Sequence, residues 1–162
     1  METLLPNAME IAELLKARGE TVAVAESSSA GLVSASLLAV PGASAYFLGG
    51  AVVYTQAARE ALLAIGPEPM RGIRSSSEPY ASLLARTLRD RVAASWGIAE
   101  TGAAGPSGNR YGDPPGHTCI AISGPVDLVT TLETGSADRL ANMRAFASAL
   151  LSLFRNALEA RS

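Results

Sequence analysis

Leu4, Leu5, Met9, Ile11, Leu14 and Leu15 return at roughly helical spacing, and Gly19 follows them as a stop, so residues 3–18 predict an amphipathic helix. The pattern then changes. Thr21-Val-Ala-Val-Ala25 is a short, branched apolar run with the length of a buried strand. Ser27, Ser28 and Ser29 supply hydroxyls that cap a second predicted helix through about Val40, where Pro41-Gly42 ends it. A strand is predicted over residues 50–54, and Thr55 caps a helix over 56–65 before a Gly/Pro-rich connection at 66–72. Ser77 opens a long helix whose buried face carries Tyr80, Leu83, Leu84, Thr87, Leu88 and Val92.

Residues 96–99 read as a strand, and 101–116, with five glycines and three prolines, as a loop of a length usually kept for function. Strands at 117–122 and 127–132 form a hairpin across Ser123-Gly124-Pro125. Leu140, Met143, Ala147, Leu150, Leu151, Phe154 and Leu158 mark a last helix that starts near Asp138. Helices alternating with strands and then a hairpin predict an α/β fold, a three-layer α/β/α sandwich with a mixed β-sheet. With 162 residues, 48% of them hydrophobic, and no repeat or linker, residues 1–162 are expected to form one domain.

Composition narrows the function. The amino terminus mixes acids with leucines, unlike a signal peptide, and no apolar run approaches a membrane span, which predicts a soluble, cytoplasmic protein with no membrane partner. A net charge of -2 with scattered arginines argues against nucleic acid as a partner. One cysteine, Cys119, and one histidine, His117, leave no set of residues for a Cys- or His-based metal site, and no cofactor is expected. The hydrophobic fraction leaves room for a homo-oligomer.

Two segments fall where open α/β sheets hold ligands, beyond the carboxyl ends of strands. One is Ala25-Glu26-Ser27-Ser28-Ser29-Ala30-Gly31, and the other runs from Glu100 through Thr101, Gly102, Ala103, Ala104 and Gly105 to Gly108. No glycine loop is followed by lysine, which excludes a P-loop. Ser27-x-Ser29-x-Gly31 mimics a nucleophile elbow without its first glycine, but Asp113 and His117 lie too close together in sequence to complete a triad of that kind.

The same segments resemble the CinA carboxy-terminal-domain family, which includes nicotinamide mononucleotide amidases. Residues 25–31 are similar to that family's Ala-Glu-Ser-Cys-Thr-Gly-Gly, and Pro41-Gly-Ala-Ser-Ala-Tyr-Phe-Leu-Gly-Gly50 to its Gly-Ser-Ser-x-Tyr/Trp-Phe-x-x-Gly. Val53-Tyr54, Ser77-Glu78-Pro79, residues 101–108 and Pro115-Gly116-His117-Thr118 follow in the family's order. A stand-alone member, without an amino-terminal pyrophosphatase-like domain, is the expectation. The resemblance implies hydrolysis of the carboxamide of nicotinamide mononucleotide, a small-molecule nucleotide substrate, to the acid and ammonia. It makes Ser27 the nucleophile, assisted by Tyr54, with Glu26, Ser28, Ser29, Gly31, Thr101, Gly102 and Gly105 around the substrate.

Two residues depart from that pattern. Arg59 stands where the family has a lysine base, and the only lysine of the chain is Lys16. Arginine stays charged and cannot take a proton from serine. Glu100 replaces an apolar residue ahead of Thr101-Gly102. The expectation is that Arg59 and Glu100 pair, that Glu100 accepts the Ser27 proton and that Arg59 lends positive charge to a substrate phosphate or developing oxyanion, with an ion pair that only stabilises the strand tip as the other reading. The alternative is a catalytically silent module that binds a phosphorylated ligand or a protein partner.

Overall fold

The buried strands of this chain alternate large and small side chains, and that alternation sets how closely each helical layer approaches the sheet. In the computed structural model, which describes residues 1–161, α1 (Leu5–Arg18) leads to β1 (Val22–Glu26) and α2 (Leu32–Leu38). A 3-10 turn at Ala43–Ala45 precedes β2 (Phe47–Val52), α3 (Gln56–Leu63) and α4 (Glu78–Val92). Then come β3 (Trp96–Ala103), β4 (His117–Ser123), β5 (Leu128–Glu133) and α5 (Arg139–Glu159). The sheet order is β2-β1-β3-β4-β5; β1 is parallel to β2 and β3, whereas β4 is antiparallel to both β3 and β5. This is a mixed sheet with helices on both faces, as the alternation of elements predicts.

Val22, Val24, Trp96, Ile98, Ile120 and Ile122 face α1, α2 and α5 and form the larger core with Ile11, Leu15, Leu150 and Phe154. Trp96 packs edge-on against Phe154 at 5.4 Å between ring centres, and its indole N–H donates to Glu20 at 2.7 Å, so this fully buried ring leaves no polar atom unmet. The opposite face carries Ala23, Ala25, Ala99, Cys119 and Ala121. Small side chains there let α4 lie close to the sheet. Gly97 is the limiting case, because a Cβ on it would sit 2.0 Å from the carbonyl oxygen of Ala85 on α4.

Local signals explain the helix ends. Thr55 and Ser77 cap α3 and α4 by accepting from Ala58 N and Tyr80 N, and Asp138 caps α5 through Ala141 N. Gly19 closes α1 at φ 61°, a left-handed conformation that suits glycine. Several expected boundaries move. The strand expected at 50–54 is Phe47–Val52, held in parallel register by Val22↔Phe47 through Glu26↔Val52. Strand β3 continues through Ala103, because residues 97–103 pair with β4 over its whole length, so the irregular loop begins only after Ala103. Helix α3 stops at Leu63, where Ala64 turns left-handed. Met9, Val92 and Leu140, expected on buried faces, are 57%, 37% and 62% exposed; they lie off the stripes that the sheet covers.

A methyl group at Gly97 would have to displace backbone of α4 rather than a flexible side chain. Gly97→Ala is therefore expected to lower stability by about 1–3 kcal/mol, the range for overpacked cores, measured by urea unfolding. Unchanged stability would mean that α4 is free to retreat from the sheet.

Candidate active site

Two carboxylates with no exposed surface sit on adjacent parallel strands, Glu26 at the end of β1 and Glu100 inside β3, just past the last β1–β3 pair Ala25↔Ala99. Buried carboxylates are costly unless fully hydrogen-bonded, and both of these are. Glu26 accepts from Gly31 N and Val33 N, each at 3.0 Å, from Ser34 N at 2.8 Å, and from the hydroxyls of Ser29 and Ser34, each at 2.7 Å. It thereby meets the free amides at the start of α2, whose own N-cap, Gly31 at φ 93°, has no side chain to do so. Helix α2 accordingly begins at Leu32, and the expected cap by the three serines is replaced by the preceding glutamate.

Glu100 holds the other side of the same turn. It accepts from Ser29 N at 2.7 Å, Ser27 N at 3.3 Å, Thr118 Oγ1 at 2.9 Å and the Ser28 hydroxyl. Burial pushes its carboxyl above the usual carboxylate range, against the opposing pull of the bonds from Ser28, Ser29 and Thr118. Ser28 and Ser29 are therefore tied to carboxylates behind the turn. Ser27 keeps only its amide tied and is half-buried, and its hydroxyl has no hydrogen-bond partner among the described residues.

Beyond the turn lies a cavity of about 650 Å³, open to solvent and lined by Ser27, Tyr54, Arg59, Thr101 and Gly102, with Arg74, Tyr80, Asn109, Arg110 and Tyr111 completing much of its wall. It sits past the carboxyl ends of β1, β2 and β3, where an α/β sheet is expected to hold a ligand. Tyr54 is 60% exposed, and its phenol oxygen accepts from Arg139 at 3.2 Å, while Arg139 also donates to the Gly105 carbonyl at 2.6 Å. Thr101 Oγ1 accepts from Ser76 N at 3.3 Å, which fixes the opposite wall.

The expected pairing of Arg59 with Glu100 does not form. Arg59 donates through Nε to the Ile65 carbonyl at 3.2 Å and lies over the Tyr80 ring at 5.9 Å, and the partners of Glu100 are hydroxyls and amides of Ser27, Ser28, Ser29 and Thr118. Two of the proposed binding glycines serve packing. A Cβ on Gly102 would sit 2.3 Å from the His117 carbonyl oxygen across the β3–β4 ladder, and one on Gly105, at φ 107°, would sit 2.8 Å from the Ala137 carbonyl oxygen. Glu26, Ser28, Ser29, Gly31, Glu100 and Gly105 all lie outside the cavity lining.

Sequence reading missed the wall opposite Ser27. Arg74 forms a two-pronged ion pair with Asp113 at 2.6 and 3.0 Å, and it holds that carboxyl below its usual range. Tyr111 lies between Arg74 and Arg110, whose guanidinium carbons are 5.2 and 5.1 Å from the ring centre. Arg110-Tyr111 inside the long loop was a visible signal, whereas Arg74 finds its partner 39 positions away. His117 braces the same wall, with Nδ1 at 2.5 Å from Glu133 Oε1, Nε2 at 2.9 Å from the Ser76 carbonyl and Asp113 Oδ2 at 3.7 Å. Among the described residues no group of three or more His, Cys, Asp or Glu could hold a metal ion, and no helix is long and apolar enough to cross a membrane.

Residues 5–158 match the family model described as the CinA C-terminal domain. A CinA-like protein of Anaeromyxobacter dehalogenans is 41% identical over 144 residues, covering 89% of this chain and 35% of that protein. A CinA-like protein of Prochlorococcus marinus is 44% identical over 115 residues, covering 71% of this chain and 27% of that protein. The chain thus spans about a third or less of the length of these curated relatives. Among solved structures, the competence/damage inducible protein CihA of Agrobacterium tumefaciens superposes with a TM-score of 0.88 at 27% identity, covering 96% of this chain and 95% of that one. A competence or damage-inducible protein of Enterobacter asburiae gives 0.89 at 26% identity, over 96% and 98% of the two chains.

Two outcomes follow from the buried network. Glu100→Leu strands the amides of Ser27 and Ser29, and each buried unsatisfied donor costs about 1–3 kcal/mol, so a loss of roughly 3 kcal/mol or more is expected on urea unfolding. A loss below about 1 kcal/mol would show that the turn does not depend on this carboxylate. His117 gives a pH dependence. Burial lowers its pKa, but Glu133, the Ser76 carbonyl and Asp113 together outweigh that and raise it. A raised imidazole pKa contributes stability in full below the unfolded value, about 6.5, and loses it as pH rises through the folded value. Wild-type stability should therefore fall more steeply than that of His117→Gln on titration upward from about pH 6.5. Parallel profiles would contradict the assignment.

Proposed function

The chain belongs to the CinA C-terminal-domain family, and from that premise we propose that its cavity binds nicotinamide mononucleotide, or a closely related phosphorylated amide, with Ser27 placed to attack the carboxamide. One observation carries the reading: of the three serines in the turn, Ser28 and Ser29 are committed to buried carboxylates, and Ser27 alone lines the cavity with an unengaged hydroxyl. An amide is a poor electrophile, so the site must orient the nucleophile and stabilise negative charge. The turn clamped by Glu26 and Glu100 supplies the first, and Arg59, which lines the cavity, supplies the positive charge for the second.

In the proposed reaction Ser27 Oγ bonds to the amide carbon, the C–N bond breaks, and the serine proton leaves with the nitrogen as ammonia. Water then hydrolyses the ester to release the acid and restore the hydroxyl. The roles of Tyr54 and Thr101 are to shape the cavity beside Ser27. Glu100 acts as a positioning residue in this reading and not as the base, since its oxygens are taken by four donors behind the turn.

A second reading is favoured by a specific feature of the lining. It contains no carboxylate, imidazole or amine, so no side chain there is suited to take the serine proton at neutral pH. On that reading the domain binds the phosphorylated ligand without turnover.

Ammonia release from nicotinamide mononucleotide, measured with wild type and Ser27→Ala, separates these. The enzyme reading expects release by wild type and its loss, by at least about a hundredfold, in Ser27→Ala with folding intact. Ligand binding without ammonia from either protein supports the silent module, and absence of both binding and release would overturn the nucleotide assignment.

A further inference from the structure

Three guanidinium groups line the cavity, and their surroundings divide them sharply. Arg74 is neutralised by the two-pronged bond to Asp113 and also donates to the carbonyls of Ser75 and Ser76. Arg110 is exposed and donates to the Tyr111 phenol at 3.0 Å, so solvent already meets its charge. Arg59 is different. It is 7% exposed, its Nε is used on the Ile65 carbonyl, and none of the ion pairs among the described residues includes it. Tyr80, which also hydrogen-bonds Arg59 and whose ring centre is 5.9 Å away, is neutral and offsets only part of a full charge.

A buried cation without a carboxylate partner is costly, and arginine cannot escape the cost by losing its proton. The protein nonetheless holds this one at the wall of a solvent-open cavity of about 650 Å³. The same region presents the amino end of α3, where Thr55 and Gln56 line the cavity and the helix dipole favours negative charge. Both features call for an oxyanion, and none of the residues lining the cavity supplies one.

We propose that Arg59 is the anion-recognising residue of this cavity: the ligand presents a phosphate or carboxylate to its guanidinium, and neither Arg74 nor Arg110 performs that role. The inference rests on the reading that this cavity is the ligand site, but not on any turnover there. It makes Arg59, where the resemblance implies a lysine base, a fixed charge that selects anionic ligands.

The test follows binding rather than activity. Calorimetric titrations of wild type, Arg59→Met, Arg59→Lys and Arg110→Gln would use nicotinamide mononucleotide, its carboxylic acid counterpart and nicotinamide riboside, which lacks the phosphate. The expected result is a loss of about thirtyfold or more for charged ligands in Arg59→Met, partial recovery in Arg59→Lys and a change under about threefold in Arg110→Gln. If the anion is the phosphate, wild type prefers nucleotide to riboside and Arg59→Met does not. If it is the carboxylate, wild type prefers acid to amide and that preference disappears instead. Equal losses for charged and uncharged ligands would assign Arg59 a structural role and overturn the proposal.

Inorganic phosphate provides an arm independent of the substrate assignment. Its addition should shift the NMR resonance of the Arg59 side-chain Nε–H, with saturation, in wild type and in Arg110→Gln. A saturable shift without nucleotide binding would reject the nucleotide reading and keep the anion site, whereas no shift with phosphate and no charge preference among the organic ligands would reject the site itself.

Discussion

The paired burial of Glu26 and Glu100 is the constraint on which the site depends. Glu26 closes β1 and Glu100 lies within β3, both strands are buried there, and neither carboxylate has a cation among its hydrogen-bond partners. Stability of such groups then rests on donors, and the turn between β1 and α2 provides them from its amides and hydroxyls. The consequence is geometric. Satisfying two carboxylates pins the turn from both sides, uses up Ser28, Ser29 and Ser34, and leaves Ser27 as the residue that faces open space.

The sheet explains why the carboxylates are deep enough to demand this. Small residues on the α4 face bring that helix close, and large ones on the other face fill the space under α1, α2 and α5. Strands β1 and β3 are central, so their ends are covered on both sides, and β4 adds Thr118 as a donor to Glu100 from across the sheet. The far wall of the cavity is built by longer connections: Arg74 with Asp113, and His117 with Glu133 and the Ser76 carbonyl. One wall is thus held by buried hydrogen bonds and the other by partly exposed charge pairs, which makes the latter the more sensitive to salt and pH.

Periodicity made the helices, the buried strands and the layering legible, because a 3.6-residue stripe and a short branched run each follow from burial of one local face. The motif around Ser27 was legible as a resemblance, and its strand-to-helix turn borders the cavity. What it could not show was the division of labour within the turn. A serine at a strand-to-helix junction suggests a cap, and nothing local reveals that Glu26 reaches forward to cap α2 in its place. Glu100 and Arg59 invited a pairing because opposite charges near one pocket attract, but the carboxylate met a closer set of donors and the guanidinium turned to Ile65 and Tyr80. Gly102 shows the same limit. It sits in a glycine-rich motif that suggests ligand contact, yet the lack of space beside the His117 carbonyl alone requires glycine.

The account makes Ser27 the reactive end of the cavity and Arg59 its fixed charge, both held before any ligand arrives. A crystal structure of the Ser27→Ala protein with nicotinamide mononucleotide addresses that most directly. The account predicts the carboxamide against residue 27, an anionic group of the ligand within hydrogen-bond reach of Arg59 or the amino end of α3, and the 26–34 turn unmoved with its bonds to Glu26 and Glu100 intact. A nucleotide bound elsewhere, or in this cavity with its carboxamide turned away from residue 27, would contradict it.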